Sequence, residues 1–559
     1  MSKVVIYQIL PRLFTNKKQS NIFNGAIEDN GCGKLNDIGD NQLSHFKELG
    51  CTHMWFTGIL EHATCTDYTQ FGIVKDNANV VKGKAGSPYA IKDYYDVDPD
   101  LAVNVEDRIG EFEALVERMH KAGLKVIVDF IPNHLARQYV SDAKPEGTED
   151  FGSADDKDQR FNVNNNFYYL PGTSFKGPIS DINGDQAWDE SPARATGNDC
   201  FNPSPGINDW FETIKLNYGV NYQDGTKHFD PIPDTWFKMR DVLKYWASKG
   251  VDGFRCDMAE LVPVEFWNWC IVQIKLEFPE IIFIAEVYQP NLYQSYIEEG
   301  GFDYLYDKVG FYDSLIEISR GDAPLLRIAD AWKAIEERSS KMLFFMENHD
   351  ELRLASDQLF STGINAWPAF FVSAAYSSNP VMIYNGQEIG ERGMDKEGYS
   401  GRDGRTSIFD YWSIDSFCRY NDFIKGNEEA LKDEENELLL YYKSLLSQVN
   451  KFPALSDGGL YDLMWCNNNT ASNKIFAWLR YTNEQFILLL ANFSEREQHS
   501  RLIIPDHAFQ LMNQQSRTYF KGTDILLGKS IIQYPKEVAS TKGVGIRLKK
   551  KECLAYLFS

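Results

Sequence analysis

The sequence predicts an α/β protein: a (β/α)8 TIM barrel with a subdomain inserted after strand 3, followed by a C-terminal all-β sandwich. Eight short apolar runs alternate with helical patterns up to residue 450, as in barrels of this class. A long stretch rich in Asp, Asn, Gly and Pro separates the third run from the fourth. After residue 455 strand patterns continue, but no long helical pattern appears.

The predicted barrel strands are short and rich in β-branched and aromatic residues, which favour extended chain. They occupy residues 4–9, 53–57, 125–131, 252–257, 281–287, 304–306, 341–346 and 380–384. Amphipathic stretches at 105–122 and 235–248 carry apolar residues at helical spacing, with charged residues on the other face. The barrel is therefore assigned to residues 1–134 and 205–450.

Two regions depart from this alternation. Residues 135–204 show little periodicity, and a structureless loop of that length would be unusual, so we expect a small subdomain at the functional rim. Residues 474–482 and 485–492 are predicted strands joined at Asn483 and Glu484, a hairpin signal. Residues 455–559 are therefore assigned to the β-sandwich.

Composition excludes several classes of function. Lys and Arg total 57 and Asp and Glu total 80, which gives a net charge of −23. Such a chain repels phosphate backbones, so we expect a neutral substrate and no nucleic acid. Residues 1–14 lack a secretory leader pattern, and no run of 18 apolar residues occurs. We therefore expect a cytoplasmic protein with no membrane contact; nine cysteines without a Cys-x-x-Cys pair agree with free thiols.

Polar residues gather where the predicted strands end. The carboxyl ends of all eight barrel strands meet at one mouth, so residues far apart in sequence converge there. Arg255 and Asp257 share one face of their strand, because side chains alternate along extended chain. The polar residues at these strand ends are Asp129, Asn133, His134, Arg255, Asp257, Glu286, Asn348, His349 and Asp350.

The carboxyl groups in this set suit glycoside cleavage. Crowded carboxylates cannot all ionise freely, so at least one pKa rises. Cleavage of a glycosidic bond needs one carboxylate that attacks and one carboxylic acid that protonates the leaving oxygen. Arg255 can hold Asp257 ionised and oriented. Glu286 follows the apolar residues 283–285, which predicts that its protonated form is favoured.

These residues resemble the α-amylase family of glycoside hydrolases (family 13), in a bacterial intracellular-type form. The family has four short regions, which stand here in order at 129–134, 253–260, 286–287 and 347–350. Residues 7–12, 87–94, 385–390 and 404–412 are similar to its outlying motifs. The resemblance covers roughly residues 1–450 and implies the same barrel.

The resemblance implies a role for each matching residue. Asp257 would be the nucleophile, Glu286 the general acid and then base, and Asp350 the residue that stabilises the distorted sugar. Retention of configuration would place the first two carboxyl groups about 5–5.5 Å apart. The residues expected to bind the reacting sugar are Tyr89, Asp93, His134, Arg255, His349 and Arg353.

The resemblance requires no cofactor for the chemistry, but it makes calcium a candidate. Many family members bind calcium between the barrel and the insert, and Asn133 matches one usual ligand. The histidine that usually follows the nucleophile is absent, and Met258, Ala259 and Glu260 stand there. Calcium prefers oxygen ligands, so Glu260 is the candidate substitute.

The function expected from this resemblance is retaining hydrolysis of α-1,4-glucosidic bonds in starch-derived glucans or maltooligosaccharides. An α-glucosidase, a transglucosidase or a trehalose-forming isomerase would use the same carboxylates, so these stay open as alternatives. A metal-dependent hydrolase with His134, His349 and Asp257 as ligands is less favoured, because no His-x-His spacing occurs. A non-catalytic binder is disfavoured by the complete set of carboxyl groups.

Overall fold

The computed structural model describes residues 2–180, 184–396, 401–528 and 530–559. Eight parallel strands close into a barrel in which the first strand pairs with the second and the eighth. These strands are β1 Val5–Ile9, β2 His53–Phe56, β3 Lys125–Phe130, β4 Gly253–Cys256, β5 Ile282–Ala285, β6 Tyr304–Tyr306, β7 Met342–Phe345 and β8 Val381–Tyr384. Each of the eight predicted runs contains one of them, so the predicted barrel is confirmed.

The barrel strands are buried because helices cover their outer faces, and this explains their nearly continuous apolar sequences. The main helices are α1 Asp40–Leu49, α2 Arg108–Lys121, α3 Asp234–Ser248, α4 Val264–Glu277, α5 Tyr293–Glu298, α6 Asp313–Arg320, α7 Arg327–Lys333, α8 Gly363–Ala375, α9 Asp415–Ile424 and α10 Asp433–Val449. In α2 the apolar stripe Phe112, Leu115, Val116 and Met119 is buried, as the spacing predicts.

The inserted region after β3 contains short antiparallel strand pairs. Strand His134–Ala136 pairs with Thr213–Lys215, and Tyr169–Leu170 pairs with Ala193–Arg194. A further pair, Val220–Asn221 with Thr226–Lys227, precedes α3. The paired chain thus continues beyond residue 204, where the sequence placed the end of the insert. Residues 181–183 of the insert lie outside the described residues.

The C-terminal part forms two antiparallel sheets, in agreement with the predicted all-β domain. Its strands are β9 Gly459–Asp462, β10 Ile475–Tyr481, β11 Phe486–Asn492, β12 Gln498–Leu502, β13 Tyr519–Asp524, β14 Ile531–Pro535, β15 Val544–Leu548 and β16 Cys553–Phe558. Six of them form the larger sheet, whereas β12 pairs with β15. Trp478 Nε1 on β10 donates to the carbonyl of Ala375 at 3.2 Å, so this domain packs against α8 of the barrel.

Among the helices in the described part of the chain, none combines the length and apolar character that a membrane crossing needs. The nine cysteines are all free thiols, and four of them are buried.

Candidate active site

Three carboxyl groups from distant parts of the chain line one cavity at the barrel mouth. Asp257 directly follows β4, Glu286 directly follows β5, and Asp350 lies in the loop after β7. The cavity has a volume of about 290 Å³ and is lined by all three side chains. Asp257 and Glu286 are buried, whereas 45% of the Asp350 side chain is accessible. The predicted convergence of these three residues is present in the fold.

A single buried arginine joins two of these carboxyl groups. Arg255 Nη1 lies 2.8 Å from Asp257 Oδ1, and its Nη2 lies 2.7 Å from Glu286 Oε2. The rigid guanidinium fork fixes both carboxyl groups relative to each other. Cys256, between Arg255 and Asp257, is buried and does not line the cavity, as strand alternation predicts.

The arginine is itself held by residues beneath the cavity. Asp129 Oδ1 on β3 lies 3.2 Å from Arg255 Nη1, and Asp129 Oδ2 accepts a hydrogen bond of 2.9 Å from Trp55 Nε1. Arg255 Nε donates to the Tyr306 hydroxyl at 3.1 Å. The guanidinium carbon also lies 5.1 Å from the Trp55 ring centroid. These contacts satisfy a charge that would otherwise be costly to bury.

Burial and mutual repulsion shift the pKa values of the carboxyl groups. Burial, reinforced by the charge of Glu286, raises the pKa of Asp257 well above its ordinary range. The Asp350 side chain is partly accessible from the cavity. Desolvation by the surrounding protein, reinforced by the charge of Glu286, nevertheless raises its pKa. Burial raises the pKa of Asp129 to about 7, against the opposing effect of Arg255. Near neutral pH this group of acids therefore retains a proton.

Glu286 departs from the sequence expectation. Burial acts to raise its pKa, as its apolar approach predicts. The Arg255 guanidinium and hydrogen bonds from the Met258 amide and the Tyr288 hydroxyl outweigh burial, so the pKa falls below its ordinary value. The net pKa shift of Glu286 is therefore opposite in direction to the one that its apolar approach predicts.

His349 and Tyr89 form one wall of the cavity. Their rings stack with centroids 5.1 Å apart, and the Tyr89 hydroxyl lies 2.6 Å from His349 Nε2. The Gln8 side-chain amide donates to His349 Nδ1 at 2.8 Å, which places the ring hydrogen on Nε2. Nε2 also lies 3.1 Å from Asp350 Oδ2. Burial lowers the pKa of His349 to about 3, so the ring is a neutral donor facing the cavity.

His134 lies on the other side of the cavity, where the insert begins. Its ring centroid is 5.1 Å from that of Trp210, which the insert supplies. Burial, with the nearby charges of Lys215 and Lys82, lowers the pKa of His134 to about 3. A neutral imidazole beside an indole suits contact with an uncharged polar ligand.

Two residues predicted to bind substrate do not line the cavity. Asp93 is buried in the strand Ile91–Val97 and accepts hydrogen bonds from Ser141 Oγ at 2.6 Å and the Asp142 amide at 2.9 Å. Arg353 is buried behind the loop after β7, with Nη1 2.9 Å from Glu347 Oε2. Asp93 thus anchors the insert, and Arg353 anchors the loop that carries Asp350.

Asn133, the predicted calcium ligand, is hydrogen-bonded to a lysine side chain. Asn133 Oδ1 accepts a hydrogen bond of 2.6 Å from Lys215 Nζ, and its amide donates to the Gly197 carbonyl at 2.8 Å. Glu260, the candidate substitute ligand, accepts from the backbone amides of Tyr288 and Gln289. The groups around Asn133 therefore do not fit a calcium ion, because an ammonium group already faces its side-chain oxygen.

Several cavity residues escape the sequence analysis. Tyr288 is two residues beyond Glu286, so strand alternation could have placed it on the same face. Trp210 and Glu212 lie beyond residue 204, between the predicted insert and strand 4, where no strand end signals a place at the mouth. Lys82, whose Nζ lies 3.2 Å from Glu212 Oε1, comes from the loop after β2. The remaining lining residues that the sequence analysis did not assign to the cavity are Ser87, Thr213, Met258, Ile408 and Phe409.

Comparison with known proteins agrees with this geometry. A family model described as the α-amylase catalytic domain matches residues 8–194 and 232–445, which together are more than half of the chain. The chain belongs to the α-amylase family. The matched segments include all three carboxyl residues and omit the end of the insert. Membership makes the protein a glycoside hydrolase and supports the assignment of the cavity as its active site.

Relatives in this family are distant in sequence. An α-amylase of Dictyoglomus thermophilum is 22% identical over 520 residues, covering 88% of this chain and 85% of that protein. The α-amylase MalA of Haloarcula japonica is 25% identical and covers 88% and 55%, respectively. A maltogenic α-amylase structure from Thermotoga neapolitana has a TM-score of 0.63 at 19% identity, covering 99% and 98% of the two chains. The last likeness establishes the shared fold.

Proposed function

We propose that this α-amylase family member hydrolyses α-1,4-glucosidic bonds in starch-derived glucans or maltooligosaccharides with retention of anomeric configuration. The observation that carries the proposal is the Arg255 fork, which holds Asp257 and Glu286 side by side in a cavity that also contains Asp350. One attacking carboxylate and one adjacent acid are what double displacement requires.

In the first step Asp257 attacks the anomeric carbon, and the bond from that carbon to the leaving oxygen breaks. Glu286 gives its proton to that oxygen, so the leaving chain departs as a neutral alcohol. The positive charge that develops on the sugar is stabilised by Asp350, whose carboxylate lies beside the Nε2 hydrogen of His349. The product of this step is a glycosyl ester on Asp257.

In the second step water replaces the leaving chain. Glu286, now ionised, removes a proton from that water while its oxygen attacks the anomeric carbon and the ester bond to Asp257 breaks. Arg255 lies against both carboxylates throughout, and Tyr288 donates to Glu286 Oε1 at 2.7 Å. These contacts favour the ionised Glu286 that the second step needs.

The first step requires a protonated Glu286, and the ligand-free site favours the proton elsewhere. The group of buried acids retains a proton near neutral pH, so no proton has to enter from solvent when substrate binds. Sugar hydroxyls that hydrogen-bond Asp350 favour its ionised form and thereby release the shared proton to Glu286. Substrate binding is therefore coupled to proton position in this proposal.

The net charge of the chain and the volume of the cavity indicate the class of substrate. A chain with a net charge of −23 does not attract anionic polymers, whereas glucans are neutral. The cavity of about 290 Å³ lies at the lower end of ligand-site volumes, about 300–1,000 Å³, so it encloses a short segment of a chain. The relatives are named α-amylase and maltogenic α-amylase, which agrees with such substrates.

The test is a time course of products from maltotetraose, with and without a sugar acceptor, in which NMR follows the anomeric configuration. The proposal predicts shorter maltooligosaccharides that appear first as the α-anomer. New disaccharides formed without net hydrolysis would instead support a transglucosidase or an isomerase, and a first product in the β-configuration would rule out retention.

A further inference from the structure

A buried lysine lies where the insert meets the loop that carries His134. Lys215 Nζ is 2.6 Å from Asn133 Oδ1 and 2.6 Å from Asp199 Oδ1, and only 2% of the Lys215 side chain is accessible. Lys215 belongs to the strand Thr213–Lys215 and stands directly opposite His134 in the antiparallel register. Its ammonium thus connects the insert to residues that border the active site.

The oxygen atoms around this ammonium are of the kind that a hard metal ion also binds. Calcium takes carboxylate and amide oxygens at about 2.3–2.6 Å. The two contacts of Lys215 are at the upper end of that range, so the ammonium occupies the position that a cation between Asn133 and Asp199 would take. The Tyr222 ring centroid lies 5.4 Å from Nζ and adds a cation–π contact.

We propose that the Lys215 ammonium serves as a built-in cation that fastens the insert to the barrel, in place of a metal ion. Through Asn133 it fixes the start of the loop segment that presents His134 to the cavity. Lys215 is therefore a positioning residue, since it acts on the sugar site through its neighbours and does not line the cavity.

The alternative is that Lys215 makes an ordinary ion pair of little consequence. Exposed pairs of this kind contribute little, whereas removal of one partner of a buried pair is strongly destabilising. Lys443 provides the comparison, because its Nζ lies 2.9 Å from Glu48 but 45% of its side chain is accessible. The two lysines thus have similar contact distances and different burial.

Thermal unfolding of the full-length protein tests the proposal without any measurement of turnover. Lys215→Met should lower the Tm by roughly 3–8 °C, with or without CaCl2, whereas Lys443→Met should change it by about 1 °C or less. Exhaustive chelation of divalent metal ions should leave unchanged the difference in Tm between the wild type and Lys215→Met. A Tm for Lys215→Met within about 1 °C of the wild type would overturn the proposal.

A second variant separates a cation requirement from simple packing. Lys215→Asp replaces the ammonium with carboxylate oxygens beside Asn133 and Asp199, so its Tm should rise on addition of CaCl2 by several degrees more than that of Lys215→Met. If CaCl2 raised the Tm of both variants equally, the space between Asn133 and Asp199 would not act as a cation site. This result would count against the proposal.

Chelation of the wild-type protein can also give a result that contradicts the proposal. A Tm that falls on chelation, returns with CaCl2, and no longer responds in Asn133→Ala would place a metal at this junction and overturn the proposal. A response that persists in Asn133→Ala locates the metal elsewhere and supports a metal-free junction. These readouts are independent of glycoside cleavage, so failure here leaves the proposed function standing.

Discussion

The active site and the barrel–insert junction are both organised around a buried cation, but the two cations differ. In the active site, Arg255 offers a planar fork that contacts Asp257 and Glu286 through separate nitrogens. At the junction, Lys215 offers one nitrogen that contacts Asn133 and Asp199 together. The fork fixes the orientation of two carboxylates, whereas the ammonium mainly neutralises charge between two segments.

The difference shows what each place demands of its cation. In the proposed mechanism two carboxyl groups must keep a defined separation and a defined direction, which a bidentate guanidinium imposes. A junction between two chain segments needs attraction at one point, which a compact ammonium supplies. Changes at the first place should therefore act on turnover, and changes at the second on stability.

The largest expected effect comes from Asp257→Asn. The amide cannot form the glycosyl ester, so kcat should fall on the order of 10³-fold or more. Steady-state hydrolysis of maltotetraose measures it. Asp241→Asn is a matched control because that aspartate is 52% accessible and pairs with its neighbour Arg240. Near-normal turnover in Asp257→Asn would remove this residue from its role.

Arg255→Lys tests the comparison directly, because it replaces the planar guanidinium with a compact ammonium group. One ammonium cannot hold both Asp257 and Glu286, so one charge-assisted hydrogen bond worth about 1.5–3 kcal/mol is lost. That corresponds to a fall in kcat/KM of roughly 10- to 150-fold at unchanged pH. A change of less than about threefold would show that the fork geometry is dispensable.

Tyr288→Phe should produce the smallest effect, and it should appear in the pH profile. The Tyr288 hydroxyl lowers the pKa of Glu286, so its removal raises that pKa and moves the alkaline limb of kcat, which reports the substrate complex, upward by about one unit. Activity is lost on this limb when the acid deprotonates, which fixes the sign. Tyr296→Phe, whose hydroxyl donates to the Val262 carbonyl, should leave the limb unchanged. A downward shift in Tyr288→Phe would contradict the assignment.

The sequence predicts the two regions unequally, for a physical reason. Barrel strands have period-two side chains and end at one mouth, so Arg255, Asp257 and Glu286 could be placed together from sequence alone. Lys215 lies beyond residue 204, in a segment that the sequence assigned to the barrel, so nothing in its sequence neighbourhood signals that it reaches Asn133. Calcium was expected at Asn133 because this residue matches a usual ligand of the family, whereas its actual partner, Lys215, is evident only from the fold.

Two other differences between the prediction and the structure also arise from contacts between segments that are distant in sequence. Asp93 lies within the motif at 87–94 and was expected to contact sugar, but its strand pairs antiparallel with Leu60–His62 and its carboxylate accepts a hydrogen bond from Ser141 of the insert. For Glu286 the apolar preceding residues indicated a raised pKa, but Arg255 and Tyr288 reverse the shift. Sequence spacing thus placed Glu286 at the cavity, whereas its protonation depends on contacts made across strands.

The most direct test of the central claim is mass spectrometry of the protein after reaction with a 5-fluoro-α-glucosyl fluoride. Its fluoride leaves without proton donation, and its electron-poor ring slows hydrolysis of the ester. If Asp257 is the nucleophile held by Arg255 beside Glu286, one sugar should be attached to the peptide that contains Asp257. A sugar found on another residue, or turnover of the reagent with no attached sugar at any time, would contradict this assignment.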